Sequence, residues 1–332
     1  LSLPFKCYRQ HYLPTQLIYY SVRKYFMSNS PELITDSTQL AQWVQTQSNN
    51  NSTIGLVPTM GALHAGHLSL VKAASQQSDS VLVTIFVNPT QFAPDDDLQQ
   101  YPRDLASDLQ LLQSVDKISV FAPTVTDMYP SENSPIVNVE SPELDDVATR
   151  WEGERRPGHF LGVATIVYKL FTLTKPQIAF FGRKDYQQLR VIEQLAEQFS
   201  KQYQHNIKIV GCPIVREKEG LAMSSRNAYL TTAQRTQATA IYKGLQTVRR
   251  MANNADTTVT ELQNAVRKQL GTAKINRIDY VAVVHPKSLE PLVLLNRTEQ
   301  IKQLKLGAII LVAIYVGNTR LIDNIYIPPI NP

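Results

Sequence analysis

The sequence predicts an α/β chain in which a doubly wound parallel sheet (Rossmann-like) is followed by a second, smaller α+β domain. Three observations predict it. From Thr35 to about Val215, apolar runs of strand length alternate with segments whose apolar residues recur at helical spacing. Two of these strands run into helices through short turns containing glycine and charged or imidazole side chains. Beyond Val215 the alternation gives way to two helix-opening signals and two further apolar runs. Strand–helix–strand repetition makes parallel neighbours joined by crossover helices, with ligands held beyond the carboxyl ends of the strands.

Element by element, Asp36 can cap a helix whose Leu40, Trp43 and Val44 fall on one face, and residues 53–57 form a strand ending at Pro58. Residues 68–76 read as a helix and the run VLVTIFV, 81–87, as a buried strand. Leu105, Leu109 and Leu112 mark a helical face before a strand at 118–121. After a proline-rich loop come an apolar helix at 160–173, a strand at 178–181, a helix at 189–199 and a strand at 207–210. Thr231 with Gln234, and Thr258 with Glu261, match capping boxes that open two helices, and 277–284 and 308–316 then read as strands. Residues 1–26 are aromatic and basic without an acid, so they are expected to be an extension outside the fold, with Met27 the natural start. The expected organisation is a Rossmann-like nucleotide-binding domain at 27–214 and a smaller α+β domain at 215–332 closing over the site.

Composition excludes several classes. Hydrophobic residues are 43% and charged residues 18% of the 332, which a disordered or coiled-coil chain does not show. The net charge of +5 includes Lys6, Arg9, Arg23 and Lys24, so the rest of the chain is nearly neutral and lacks the clustered basic residues of a nucleic-acid binder. Cys7 and Cys212 are far apart, which indicates neither a disulfide framework nor a thiolate zinc site and fits a reducing cytoplasm. The longest apolar run, 308–316, is shorter than the roughly 18 residues that span a bilayer.

Three segments carry chemistry. In PTMGALHAGH, His64 and His67 stand at a strand-to-helix turn, where backbone N–H groups and the helix dipole favour phosphate and two imidazoles can stabilise charge at phosphorus. Ser224, Ser225 and Arg226 follow a flexible stretch beginning at Arg216 and form a mobile anion clamp. In FFGRKDYQQ, Lys184 can meet phosphate as a point charge, and Asp185 can cap the helix or hold ribose or Mg²⁺. The amide of Gln91, ending the second long strand, can read hydroxyl and carboxylate groups.

The histidine and serine–arginine segments together resemble the two signatures of class I aminoacyl-tRNA synthetase-like nucleotidyltransferases. Taken with IFVNPTQF, YPRD at 101–104, RPGHF at 156–160, FFGRKDYQQL, GLAMSSRNAYL and TRLIDN at 319–324, the chain closely resembles the pantothenate synthetase (pantoate β-alanine ligase) family from about residue 35 to 325. The resemblance implies that Met60, Gly61, Ala62, Leu63, His64, Ala65, Gly66 and His67, Gly182, Arg183, Lys184 and Asp185, Val215, Met223, Ser224, Ser225 and Arg226 form the ATP site. It implies His67 as proton donor and Gln91 and Gln188 as holders of pantoate, with Gln91 also near β-alanine. The implied reaction is adenylation of pantoate by ATP with Mg²⁺, then displacement of AMP by β-alanine, in a cytoplasmic homodimer. On this reading His64, His67, Lys184, Ser224, Ser225 and Arg226 are the catalytic set. The family usually has Glu where this chain has Arg183, whose side chain is expected to face solvent. No GxxxxGK[ST] occurs, so no kinase activity is expected. The alternatives are another nucleotidyltransferase with the same histidine motif, or an RNA-binding protein if the basic extension is native.

Overall fold

In a computed structural model, residues 30–94, 96–130, 142–252, 257–292 and 306–329 are described; the expected extension 1–26 lies outside the described residues. Six parallel strands form one sheet: β1 (Glu32–Ile34), β2 (Ile54–Thr59), β3 (Ser80–Ile85), β4 (Ile118–Phe121), β5 (Ile178–Gly182) and β6 (Lys208–Cys212). Their spatial order is β1-β4-β3-β2-β5-β6. Helices α1 (Ser37–Asn49), α2 (Ala65–Gln77), α3 (Leu105–Leu112), α4 (His159–Thr174) and α5 (Tyr186–Tyr203) cover its two faces. Asp36 caps α1 by accepting the N–H of Gln39, as its position before an apolar helical face requires.

The strand expected to end at Pro58 continues to Thr59. Thr59 bonds toward β3, so its neighbour Pro58 turns its missing N–H toward β5, where pairing with β2 has already stopped at Leu56. β1, three residues at the sheet edge, is too short to show a period and was not legible in the sequence.

Past β6 come α6 (Thr232–Ala238), α7 (Ala240–Met251) and α8 (Val259–Thr272), then an antiparallel sheet of β7 (Ile278–Val284), β8 (Ala308–Val316) and β9 (Thr319–Ile327) in the order β7-β8-β9. Both expected capping boxes form, at Thr231 and Thr258. β8 is apolar at almost every position because both faces are covered. Ile310, Val312 and Ile314 pack with Ile241, Leu245, Leu262 and Val266 of α7 and α8. Ile309, Leu311 and Ala313, on the opposite face, join the core that contains Phe160, Phe171 and Phe199 of the first domain. The smaller sheet is therefore fastened to the larger domain by a shared core.

Candidate active site

From β2 the chain moves to β3 and β4 on one side, while β5 and β6 lie on the other, so the winding direction reverses between β2 and β5. Crevices at such reversals, outside the carboxyl ends of the strands, are where open α/β sheets bind ligands. A cavity of about 240 Å³ opens there, lined by Thr59, Gly182 and residues that follow both strands. A second cavity of about 560 Å³ continues from it between the two sheets and shares Lys184, Asp185, Gln188, Ser224 and Arg226 with the first.

His64 caps α2 with its ring rather than joining the helix: Nδ1 accepts the N–H of Gly66 at 3.1 Å. That acceptance fixes the ring as neutral with its proton on Nε2. His67 lies one turn on, and the two rings stack with centroids 4.1 Å apart. Burial, then the charge of Lys184, pushes His64 down to about 4, and burial, His64 and Lys184 together push His67 down to about 3. Both rings are therefore uncharged at neutral pH, so the stabilisation of charge at phosphorus expected of them would come through hydrogen bonds and not through a positive charge. His67 Nδ1 is buried without a protein partner among the described residues.

Lys184 and Asp185 sit in a short 3₁₀ turn, Arg183–Asp185, between β5 and α5. Lys184 Nζ lies 3.3 Å from Asp185 Oδ1. The turn is held from the other domain, for Asn324 Nδ2 in β9 donates to the carbonyls of Arg183 at 2.9 Å and Lys184 at 2.8 Å. The Arg183 side chain is exposed and lies near Gly211 of β6, away from the cavity wall.

The stretch that begins at Arg216 and carries Ser224, Ser225 and Arg226, expected to be a mobile clamp, is pinned in several places. Arg216 forms a two-pronged pair with Asp323 at 2.6 and 3.0 Å and lies over the Tyr242 ring. Burial outweighs this guanidinium and raises the Asp323 carboxyl. Ser225 Oγ donates to the Ala62 carbonyl at 3.1 Å, tying this segment to the histidine loop. Arg226 is engaged by Asp97, with Nε–Oδ2 at 2.8 Å and Nη2–Oδ1 at 2.6 Å, which uses two of its five N–H donors and holds the guanidinium in the wall of both cavities.

On the opposite wall, Gln91 is buried, with Nε2 2.7 Å from Met60 Sδ. Sequence reasoning quoted Arg156 and His159 only within a motif, yet both line this wall. His159 Nδ1 donates to the Gln91 carbonyl at 2.7 Å, which leaves Nε2 to accept from Arg156 at 3.1 Å. Burial and then Arg156 push His159 down to about 4, in keeping with a neutral ring. Arg156 also pairs with Asp96 at 2.9 Å and, against the cost of burial, holds that carboxyl below its usual range.

Of the residues singled out from sequence, Met60, His64, Gly66, His67, Gln91, Gly182, Lys184, Asp185, Gln188, Val215, Met223, Ser224, Ser225 and Arg226 line the first cavity together. Gly61, Ala62, Leu63, Ala65 and Arg183 do not line it. The first three belong to the turn behind it, and the Arg183 carbonyl is taken by Asn324.

The family model of pantoate-β-alanine ligase matches residues 32–326. Pantothenate synthetase of Acetivibrio thermocellus is 42% identical over 284 residues, covering 86% of this chain and 95% of the relative. That of Thermoanaerobacter pseudethanolicus is 42% identical over 294 residues, covering 88% and 98%. Among solved structures, pantothenate synthetase from Thermus thermophilus superposes with a TM-score of 0.77 at 39% identity, covering 90% of this chain and all of the other. Pantoate-β-alanine ligase from Francisella tularensis, complexed with β-γ ATP and β-alanine, gives a TM-score of 0.68 at 34% identity, covering 89% and 97%. With the histidine turn, the lysine turn and the serine–arginine segment gathered at one sheet reversal, and relatives matched over nearly their whole length, the chain belongs to the pantoate-β-alanine ligase family.

Proposed function

We propose that the chain condenses pantoate with β-alanine at the expense of ATP, through a pantoyl adenylate, giving pantothenate, AMP and pyrophosphate. The observation that carries this reading is the cavity at the β2/β5 reversal, where the stacked neutral pair His64 and His67 shares one wall with Lys184 and Ser224–Arg226. A carboxylate is a poor acyl donor because its leaving group would be oxide. Attack of the pantoate carboxylate on the α-phosphorus of ATP replaces oxide by AMP as the group to be expelled. The nucleotide lies against the histidine turn, the Nε2–H of His64 and the His67 ring donating to oxygens on which charge develops, while Lys184 supplies a positive charge. Gln91 and Gln188 face the acceptor side as neutral amides suited to hydroxyl and carboxylate groups. The amine of β-alanine then attacks the acyl carbon, and AMP departs with the bonding electrons. No covalent nucleophile on the protein is needed.

Mg²⁺ fits as a passenger of the nucleotide. Among the described carboxylates that line the cavities, Asp96, Asp97, Glu152 and Asp323 are each committed to an arginine, whereas Asp185 is half-exposed and paired with Lys184, so it would be the one to take a share of the ion. No cluster of three or more acidic, histidine or cysteine side chains able to hold a metal occurs among the described residues. When bound, the ion would supply positive charge to the oxygens of the leaving pyrophosphate. Small-molecule substrates, a cytoplasmic location and a homodimer complete the reading. The test is isotope exchange between ATP and pyrophosphate. It is expected with pantoate present and β-alanine absent; exchange that requires β-alanine would contradict a free-standing adenylation step.

A further inference from the structure

The loop between β2 and α2 forms a backbone nest. Gly61 and Ala62 both have positive φ, 78° and 49°, which turns the N–H groups of Ala62 and Leu63 toward one point. A nest of this shape before a helix ordinarily receives an anion. Here a side chain of the same chain fills it. Asp108, on the inner face of α3 and 4% exposed, accepts Ala62 N–H on Oδ2 at 3.0 Å and Leu63 N–H on Oδ1 at 2.7 Å. Gly61 is packed against the same carboxylate, since a Cβ there would meet Asp108 Oδ2 at 2.9 Å and Ile85 Cγ2 at 3.0 Å.

We propose that Asp108 is a positioning residue for the reaction, its carboxylate setting the place of His64 and His67 by holding the turn that carries them. The inference rests on the function proposed above. Asp108 does not line the cavity, so it acts through other groups. Its two bonds end at Leu63, immediately before the histidine that caps α2 and stacks on His67. The chemistry of the pair requires a carboxylate: two converging N–H donors need two acceptors, whereas an asparagine offers one oxygen and sets its amino group against the other donor. Other fastenings of the turn are neutral, among them Thr59 Oγ1 accepting from Gly61 N–H at 3.2 Å and Ser225 Oγ donating to the Ala62 carbonyl.

The test substitutes Asp108→Asn in the full chain and reads pantoate-dependent ATP–pyrophosphate exchange. The expected result is a fall in kcat of about 10- to 100-fold, with KM for ATP and pantoate changed less than about threefold, because a displaced donor loses part of what a deleted one loses. In a His67→Ala background the same substitution is expected to add less than about threefold, since both changes remove one interaction. Gly61→Ala, which crowds the nest from its other side, is expected to repeat the pattern and decides the matter should the asparagine variant not fold. Independently of activity, ¹⁵N NMR of the imidazoles without substrate is expected to shift the His64 ring in either variant. Wild-type kcat in Asp108→Asn, full multiplicative loss with His67→Ala, or unchanged imidazole signals would each overturn the proposal. Wild-type protein without pantoate-dependent exchange would overturn the activity instead, leaving the imidazole signals to decide the positioning.

Discussion

His67 shows how one residue's environment selects its chemistry. Its ring stacks on His64, and both titrate far below the usual histidine value, so at neutral pH the pair presents no charge. His67→Ala is expected to lower adenylate formation on the order of 10² to 10³ in kcat with the fold intact. The pH profile of kcat is expected to show no limb near 6.5 that disappears in this variant. Arg183 and Lys184 are adjacent yet differently used, the arginine exposed near Gly211 and the lysine in the cavity wall. Arg183→Glu is expected to change KM for ATP by less than about tenfold, under ~1.4 kcal/mol of binding, and to leave pantoate affinity unchanged. Lys184→Ala is expected to be far more damaging, and steady-state kinetics of the two variants side by side measure the contrast.

At the scale of elements, the site depends on a strand that does not line the first cavity. β9 alternates poorly, with Arg320, Asp323 and Asn324 among apolar residues, and its strand character was missed in the sequence for that reason. Each of those polar side chains is spent on a partner: Arg320 on Glu152 and Asp279, Asp323 on Arg216, and Asn324 on the carbonyls of the lysine turn. Asn324→Ala removes two bonds to carbonyls of that turn, a loss of about 1–3 kcal/mol. KM for ATP is expected to rise roughly fivefold or more while KM for pantoate stays within about twofold; initial-rate kinetics with each substrate varied separately measure the split.

For the molecule as a whole, two sheets share one core, and a buried charge network joins them. Arg320 grips both oxygens of Glu152 at 2.7 and 2.8 Å and Asp279 at 2.7 Å, while the Tyr280 hydroxyl also bonds Glu152. Although burial opposes it, this guanidinium holds the Glu152 carboxyl below its usual range. The pH response of stability follows from the histidines. His64, His67 and His159 are lowered to about 4, 3 and 4, so between pH 6.5 and 4 an unfolded chain binds protons that the folded chain refuses. Their contribution is therefore fully present above pH 6.5 and is lost as pH falls toward the folded values. Between pH 7.5 and 5.5 each ring is expected to cost on the order of 1 kcal/mol, about 4 kcal/mol for the three together. Urea midpoints at the two values measure it, and substrate-free protein with equal midpoints would contradict the assignment of neutral rings.

What the sequence by itself determined lies in its local patterns. Asp36 before an apolar helical face, the boxes at Thr231 and Thr258, and the nine apolar residues of 308–316 each became the element they announced, because capping and periodicity act over a few residues. The motif histidines, lysine and serines were legible for the same reason, each standing at a strand-to-helix junction or in a short run. Tertiary structure decided which groups are free. Asp108 meets a loop 46 residues away, Arg216 meets Asp323 across 107 residues, and Arg226 is taken by Asp97 across 129. A carboxylate's partner depends on which side chains the fold brings within about 3 Å. Neighbours along the chain do not encode that distance.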